Sequence, residues 1–367
     1  MIISIIIFII VLSILVVVHE WGHFVTAKAL GIKVHQFSIG FGKKLFSSVH
    51  DGTEFMVCAI PLGGYVKMAG EERSACQGKN EEFFSHPVGH RSLIVVMGPV
   101  INIVFAYLCF YGLCVTGYPM LGPDIAAKVG RVVEGSPAAA AELKTGDVII
   151  AIDGKPIEKF KELQDLVSGA EGRPMAFSIR RGEATLAKTI APRQDVLESE
   201  EGAQKVWRIG ISPLILERYG VVSSFGMAAV KLNEIVVTTF KGLYGVITGA
   251  IPAKNALAGP IGIFDIIKNA AMMGMTYLVF ITAVISLNLA IFNLFPIPVL
   301  DGGHLLFFAI ERFRGRPLSL KVEDGLTKLG LSLLIGLFLL VLYNDMDRIG
   351  WVESVKGLVN KLQSPGL

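Results

Sequence analysis

Residues 2–23 read IISIIIFIIVLSILVVVHEWGH, an apolar run that closes on two histidines and a glutamate. No charge falls between Ile2 and Val18. At 1.5 Å per residue that stretch covers roughly 26 Å of helix, close to the hydrocarbon thickness of a bilayer. A cleaved signal peptide would carry a basic leading region and a small-residue cleavage site. Neither is present, so the run reads as an uncleaved anchor. Its last residues, His19-Glu20-Trp21-Gly22-His23, have the form H-E-x-x-H. On a helix, residues i and i+4 share a face, so His19 and His23 can offer two imidazoles to one Zn²⁺. Glu20, about 100° round the turn, can take a proton from a water beside the metal. The motif is short and arises by chance in unrelated helices. Its position carries more weight, because ionisable groups in a span cost roughly 2.5–3.5 kcal/mol each on insertion scales and usually serve a function. The bland alternative is a set of interfacial residues facing headgroups.

Composition agrees with a membrane protein. Of 367 residues, 52% are hydrophobic and only 18% charged, and the mean hydropathy is +0.59. A soluble chain would carry nearer 25% charged residues. The net charge of +3 and the lack of any block of like charges give no reason to expect a nucleic-acid partner. The four cysteines, Cys58, Cys76, Cys109 and Cys114, form no C-x-x-C pair, so neither a disulfide framework nor a cysteine metal site is indicated.

Working outward, residues 1–30 form the first span. Residues 31–91 are polar, and Lys28, Lys33, Lys43, Lys44, Lys67, Lys79 and Arg91 lie in or beside them. The positive-inside rule therefore places this segment in the cytoplasm and the N-terminus outside. Within it Thr53–Ile60 reads as a strand, Pro61-Leu62-Gly63-Gly64 as a turn and Tyr65-Val66 as a returning strand. Such a β-hairpin could take up an extended substrate by strand addition near Gly63, Gly64 and Tyr65, or be an ordinary loop hairpin. Residues 92–123 hold the second span, where Gly98-Pro99 and Asn102 mark a bend and a polar contact to protein. Residues 124–195 change to mixed charge and short strands, a soluble α+β module. Residues 196–268 hold a linker and an amphipathic helix; Gln194 to Lys205 is the acidic linker, with Asp195, Glu198, Glu200 and Glu201. That helix keeps Lys231, Glu234 and Lys241, and is expected to lie in the outer interface.

Residues 269–303 hold the third span, closing with Asn288, Asn293, Pro296, Pro298 and then Asp301-Gly302-Gly303. The prolines free backbone groups at membrane depth, which is tolerated only where protein or a polar cavity covers them. A carboxylate directly after such a break is the obvious third metal ligand. His304 is a rival, more simply read as a packed or interfacial histidine. Residues 304–325 form a second positive loop, 326–343 the fourth span, and 344–367 a tail returning outside with Trp351 as an interfacial candidate. The expected fold is thus a membrane α-helical protein of four transmembrane helices with a cytoplasm-side β-hairpin. One α+β domain sits between the second and third helices, and both termini are extracytoplasmic.

Two resemblances follow from these motifs. Gly135-Ser136-Pro137-Ala138-Ala139, Leu143 and Gly146-Asp147-Val148-Ile149 through Asp153-Gly154 resemble a PDZ domain of the bacterial protease type, with residues 160–167 as its second helix. Glu142 stands where Gly is usual. The H-E-W-G-H run, Gly98–Asn102 and the stretch N-L-F-P-I-P-V-L-D-G-G-H from Asn293 to His304 together resemble the site-2 protease family of intramembrane zinc metalloproteases, in its bacterial RseP-like branch. Ser38-Ile39-Gly40-Phe41-Gly42 is similar to that family's G-F-G-P element, with Lys43 in place of the proline, and only one PDZ-like unit is visible. The resemblance implies zinc on His19, His23 and Asp301, with Glu20 as general base. It implies that Asn293, Pro296 and Pro298 hold substrate in extended form, with Asn288 a weaker candidate. It further implies a bacterial inner-membrane enzyme of regulated intramembrane proteolysis. Such an enzyme cuts single-span proteins, such as anti-sigma factors of a stress response, after an upstream site-1-type protease has acted; remnant signal peptides are another substrate class. The competing reading is a catalytically idle PDZ adaptor, which would be expected to show a damaged metal constellation.

Overall fold

The structure, a computed structural model, describes residues 2–74, 76–120, 126–199, 202–213, 215–252 and 258–348. The chain divides into two units, residues 1–112 with 222–367, and residues 113–221.

The first unit begins with α1 (Ile2–Ala29), in which Val11, Leu15, His19, Gly22, His23 and Phe24 are buried while Ile2, Ile3, Ile5, Ile6, Ile10 and Ile14 stay exposed. Next comes α2 (Val88–Thr116), which runs unbroken through Pro99. After the second unit come α5 (Val221–Ile247), α6 (Pro260–Met273), α7 (Met275–Asn293), α8 (Asp301–Arg314) and α9 (Leu320–Arg348). Val11 and Leu15 of α1 pack with Ile267 of α6 and with Leu278, Ile281, Ile285 and Leu289 of α7. Exposed apolar faces on these helices are what a lipid solvent requires.

Among the described residues five helices are long and apolar enough to cross a membrane: α1, α2, α5, α7 and α9. The sequence reading counted four and set the helix from Val221 aside because its uncharged pieces are short. Lys231 and Glu234 pair with each other at 3.1 Å on that helix, which lowers the cost of both charges, and the helix continues through them. The expected tail with Trp351 lies outside the described residues.

Between α1 and α2 the expected hairpin is a larger sheet. β1 (Val34–His50) and β2 (Thr53–Met68) are long strands that pair more than once. Residues 36–39 of β1 lie between residues 54–57 and residues 64–67 of β2, and residues 44–50 fold back on 53–58. The turn expected at Pro61–Gly64 is instead a bend within β2. Gly40 and Gly63 make the bends, at φ +91° and +123°, where any side chain would be strained. Space forbids one too, because a Cβ would lie 2.6 Å from the Ile60 carbonyl oxygen or 2.3 Å from the Phe41 ring. Lys43, the residue that departs from the family element, sits exposed on β1 near this bend. Trp21 and Phe24 of α1 meet Phe37 and Phe55 of the sheet at centroid distances of 5.5–6.0 Å and fix it to the helix end.

The second unit is built on a four-stranded sheet of order β6-β5-β7-β8 (Lys155–Pro156, Val148–Ile152, Met175–Arg181, Ala184–Ile190). Ser136 caps the short α3 (Pro137–Ala140), and α4 runs Phe160–Gly169. Ile149, Phe160, Leu163, Val167, Phe177 and Ile179 form its core. Short strands β4 (Val129–Val132) and β11 (Ile211–Pro213) pair, as do β3 (Tyr118–Met120) and β12 (Ile215–Glu217). The stretch expected as an acidic linker is instead an antiparallel hairpin, β9 (Arg193–Ser199) with β10 (Gly202–Arg208). Strand formers such as Val196, Val206 and Trp207 outweigh the acidic run there. Glu142 adopts φ +58°, the conformation that explains why glycine is usual at that place. Lys188 bonds its carboxylate at 3.1 Å and Arg181 its carbonyl at 2.9 Å.

Candidate metal centre and active site

Three side chains from distant parts of the first unit converge. His19 Nε2 and His23 Nε2 lie 3.2 Å apart. Asp301 Oδ2 is 3.1 Å from His19 Nε2, and Asp301 Oδ1 is 3.7 Å from His23 Nε2. Among the described residues this is the one cluster of three or more His, Cys, Asp or Glu able to share a metal ion. The helix brings His19 and His23 to one face. Asp301 is the first residue of α8, reached through the Pro296–Leu300 turn. Val299, two residues earlier, has φ +93°, a strained value for a β-branched residue and one that clusters at functional sites.

Nitrogens on a tetrahedral zinc at about 2.05 Å stand roughly 3.3 Å apart, and the observed separations bracket that value. Asp301 Oδ2 is buried and has no hydrogen-bond partner, a costly state for a carboxylate that a cation would relieve. His23 Nδ1 lies 2.9 Å from the Ile94 carbonyl oxygen, so it carries the proton and Nε2 presents its lone pair to the cluster. The amide of Asn102, fully buried, approaches His19 Nδ1 at 3.3 Å through Nδ2, while its Oδ1 has no partner. With that amide turned by 180°, Oδ1 accepts from His19 Nδ1–H and leaves the His19 Nε2 lone pair on the side of Asp301. Ser286 of α7 holds the Asn102 backbone carbonyl at 3.0 Å. The donor set fits a zinc-like cation.

Gly98 is the floor of the cluster. A Cβ there would stand 2.4 Å from His23 Nε2 and 2.9 Å from His19 Cε1, so α2 can approach the imidazoles only as glycine. Sequence reasoning took Gly98-Pro99 as a bend. The signal available was the Gly98–Asn102 motif, whose first and last residues both touch the histidines.

A cavity of about 740 Å³ opens beside the cluster. His19, Glu20, His23, Tyr65, Val66, Asn293, Val299, Asp301 and His304 all line it, with Glu71, Glu72, Arg73, Glu323 and Asp324 at its polar end. The Glu20 carboxyl accepts a hydrogen bond from the Val66 backbone, and Gly64 lies beside Glu20. Of the substrate candidates, Tyr65 and Asn293 reach the cavity. Gly63 faces the Phe41 ring instead. Asn288 accepts from Thr239 Oγ1 of α5 at 2.8 Å, the helix-to-helix bond that an Asn in a span commonly makes. Pro298 packs against Gly303 and Gly330 and, like Pro296, shapes the turn before Asp301 rather than lining the cavity. His304 lies in the cavity wall near Phe307 and Phe308, outside the ligand cluster.

Apolar helices carrying a His-His-Asp cluster, with both histidines buried and a glutamate in the same cavity, define a membrane-embedded metallopeptidase. The comparisons with known proteins agree. The model of peptidase family M50 matches residues 7–337, and the chain belongs to that family. It is 33% identical to the metalloprotease MmpA of Caulobacter vibrioides, over 95% of this chain and 96% of that one. It is 30% identical to the regulator of sigma-E protease RseP of Escherichia coli, over 93% of this chain and 98% of that one. A stretch covering 24% of the chain is similar to the PDZ domain of an SdrC-like protein of Listeria innocua, at 25% identity, 91% coverage of that chain and a TM-score of 0.20. The chain is an intramembrane metalloprotease of the site-2 type.

Proposed function

We propose that this protein cuts single-span membrane proteins within or next to their transmembrane segments. Zinc would be held by His19, His23 and Asp301, with Glu20 as the general base. The observation that carries this reading is the placement of Glu20, Tyr65 and Asn293 in one cavity with the three ligands. When bound, zinc supplies Lewis acidity that makes water acidic and polarises the scissile carbonyl. Glu20 takes the proton from the attacking water and returns it to the leaving amine. His23 and His19 are kept in the ligating tautomer by Ile94 and Asn102. The stretch of β2 from Gly64 to Met68 faces the cavity with Tyr65, Val66 and Met68, and receives the cleaved segment as an extended strand, with Asn293 opposite. A substrate span must give up its i→i−4 hydrogen bonds first, so segments rich in helix breakers are favoured.

The RseP relatives are named as regulators of sigma-E, which supports a substrate that controls a sigma factor; we infer an anti-sigma-like, single-span protein trimmed first by another protease. The second unit acts as a PDZ domain outside the cytoplasmic membrane, filtering substrates by size or by their new terminus. Four helices, α1, α2, α7 and α9, span the bilayer, while α5 lies along the outer interface with its Lys231, Glu234 and Lys241. Both termini are extracytoplasmic.

The test is cleavage of a tagged single-span substrate by the protein reconstituted in liposomes. Chelation should abolish cleavage and zinc should restore it. Cleavage that persists after the metal is removed and verified absent would refute the reading.

A further inference from the structure

The seven histidines include a second H-x-x-x-H pair, His86 and His90, well away in sequence from His19 and His23. His86 follows a short 3₁₀ turn (Phe83–Ser85), and His90 lies in the first turn of α2. Their Nδ1 atoms face each other at 3.4 Å. His86 Nε2 lies 2.8 Å from the Asn80 carbonyl oxygen, so Nε2 carries the proton and Nδ1 points its lone pair at His90. This is the same device seen in the catalytic pair, where His23 Nδ1 bonds the Ile94 carbonyl and Nε2 faces His19 at 3.2 Å. A main-chain oxygen that holds the remote ring nitrogen is the usual support of a metal-ligating histidine.

The spacing also discriminates between geometries. Two imidazole nitrogens on a tetrahedral ion stand roughly 3.3 Å apart, against about 2.8 Å for neighbours on a square-planar one, taking a bond of about 2.0 Å. The observed 3.4 Å fits the tetrahedral ion. The site is also held rigid. Arg91 Nε donates to the His86 carbonyl at 3.0 Å, and the same guanidinium forks onto Glu311 at 2.7 and 3.1 Å.

We propose that His86 and His90 form a second site for a zinc-like divalent ion, separate from the His19–His23–Asp301 centre. With two protein donors and the remaining positions open to water, the ion exchanges freely, unlike the four-ligand structural sites that hold zinc permanently.

The experiment uses the full-length protein isolated with its resident metal and titrated with Co²⁺. Zinc equivalents are counted in parallel after equilibration with excess Zn²⁺. Wild type should take up one equivalent beyond the resident ion and develop the visible absorption of four-coordinate Co²⁺. His90→Asn changes an exposed side chain and leaves the fold intact, and it should weaken that binding at least tenfold. His86→Asn with His90→Asn should abolish it, while the resident ion and substrate cleavage remain. Uptake of no second equivalent by wild type would overturn the proposal. So would a second equivalent bound equally well by His90→Asn, since the pair would then be two imidazoles sharing a proton at the surface.

Discussion

Gly98→Ala tests whether the close approach of α2 is what sets the two imidazoles. The added Cβ would stand 2.4 Å from His23 Nε2 and 2.5 Å from His23 Cε1, about 1 Å inside ordinary contact. Relief has to come from the histidine rings or from α2, because Gly22 of α1 is itself packed on the Met97 carbonyl, where a Cβ would meet oxygen at 2.3 Å. Overpacking of this kind costs about 1–3 kcal/mol. If the cost falls on the ligand geometry, at roughly 1.4 kcal/mol per decade, zinc binds about 5- to 150-fold more weakly. Cleavage should drop further, since a 1 Å displacement of catalytic groups can cost on the order of 100-fold. The assay is zinc retention against a graded chelator, read beside cleavage of a single-span substrate and helical content. Gly112→Ala on the same helix, where a Cβ meets nothing within 4 Å, is the control and should behave as wild type. A Gly98→Ala protein that folds, keeps zinc within twofold of wild type and cleaves normally would refute the reasoning.

Three further perturbations probe the frame around the centre and the second unit. Val299→Gly relieves a positive φ worth about 1–3 kcal/mol but loosens the turn that presents Asp301. Thermal stability should hold or rise while cleavage falls more than tenfold; equal cleavage would mean the strained turn does not position the carboxylate. Arg91→Ala removes a guanidinium forked onto Glu311 and stacked 4.9 Å over Phe308 and 5.2 Å over Phe84. It should destabilise the first unit by about 3–5 kcal/mol, seen as a lower unfolding temperature in detergent, and Arg91→Lys should recover only part of that because Lys lacks the fork. In the second unit, the Arg181 guanidinium, bonded to Asp147 at 2.7 and 2.8 Å, holds that buried carboxyl below its usual range. A depressed folded-state value makes this stabilisation full above the unfolded carboxyl pKa, near ~4, and lost as pH falls through the lower folded value. With Trp207 as sole fluorophore (Trp21→Phe, Trp351→Phe), unfolding below pH 4 should be steeper than in Asp147→Asn, and identical acid profiles would contradict the assignment.

The residues proposed to carry the chemistry are legible because membranes make polar groups conspicuous. His19, Glu20, His23 and Asp301 stand out against uncharged runs, and helical spacing alone puts the two histidines on one face. What could not be read were effects of close approach and of pairing between distant segments. Gly98 looked like a helix defect, and only the packing of α2 on α1 turns it into the floor of the centre. The second half of the sheet escaped notice because residues 34–50 lack clean alternation, and glycines at 40 and 63 let the same strand pair twice. Hairpin β9–β10 was hidden by its acidic residues, since charge counts say little about a strand whose partner is a few residues away.

Glu20→Gln, measured for both bound zinc and substrate cleavage in the same membranes, addresses the central claim most directly. The substitution keeps the side chain's shape and leaves His19, His23 and Asp301 untouched. Zinc should remain at the wild-type level while cleavage falls to the limit of detection. Cleavage that survives in Glu20→Gln at a wild-type rate would contradict the assignment of Glu20 as the base.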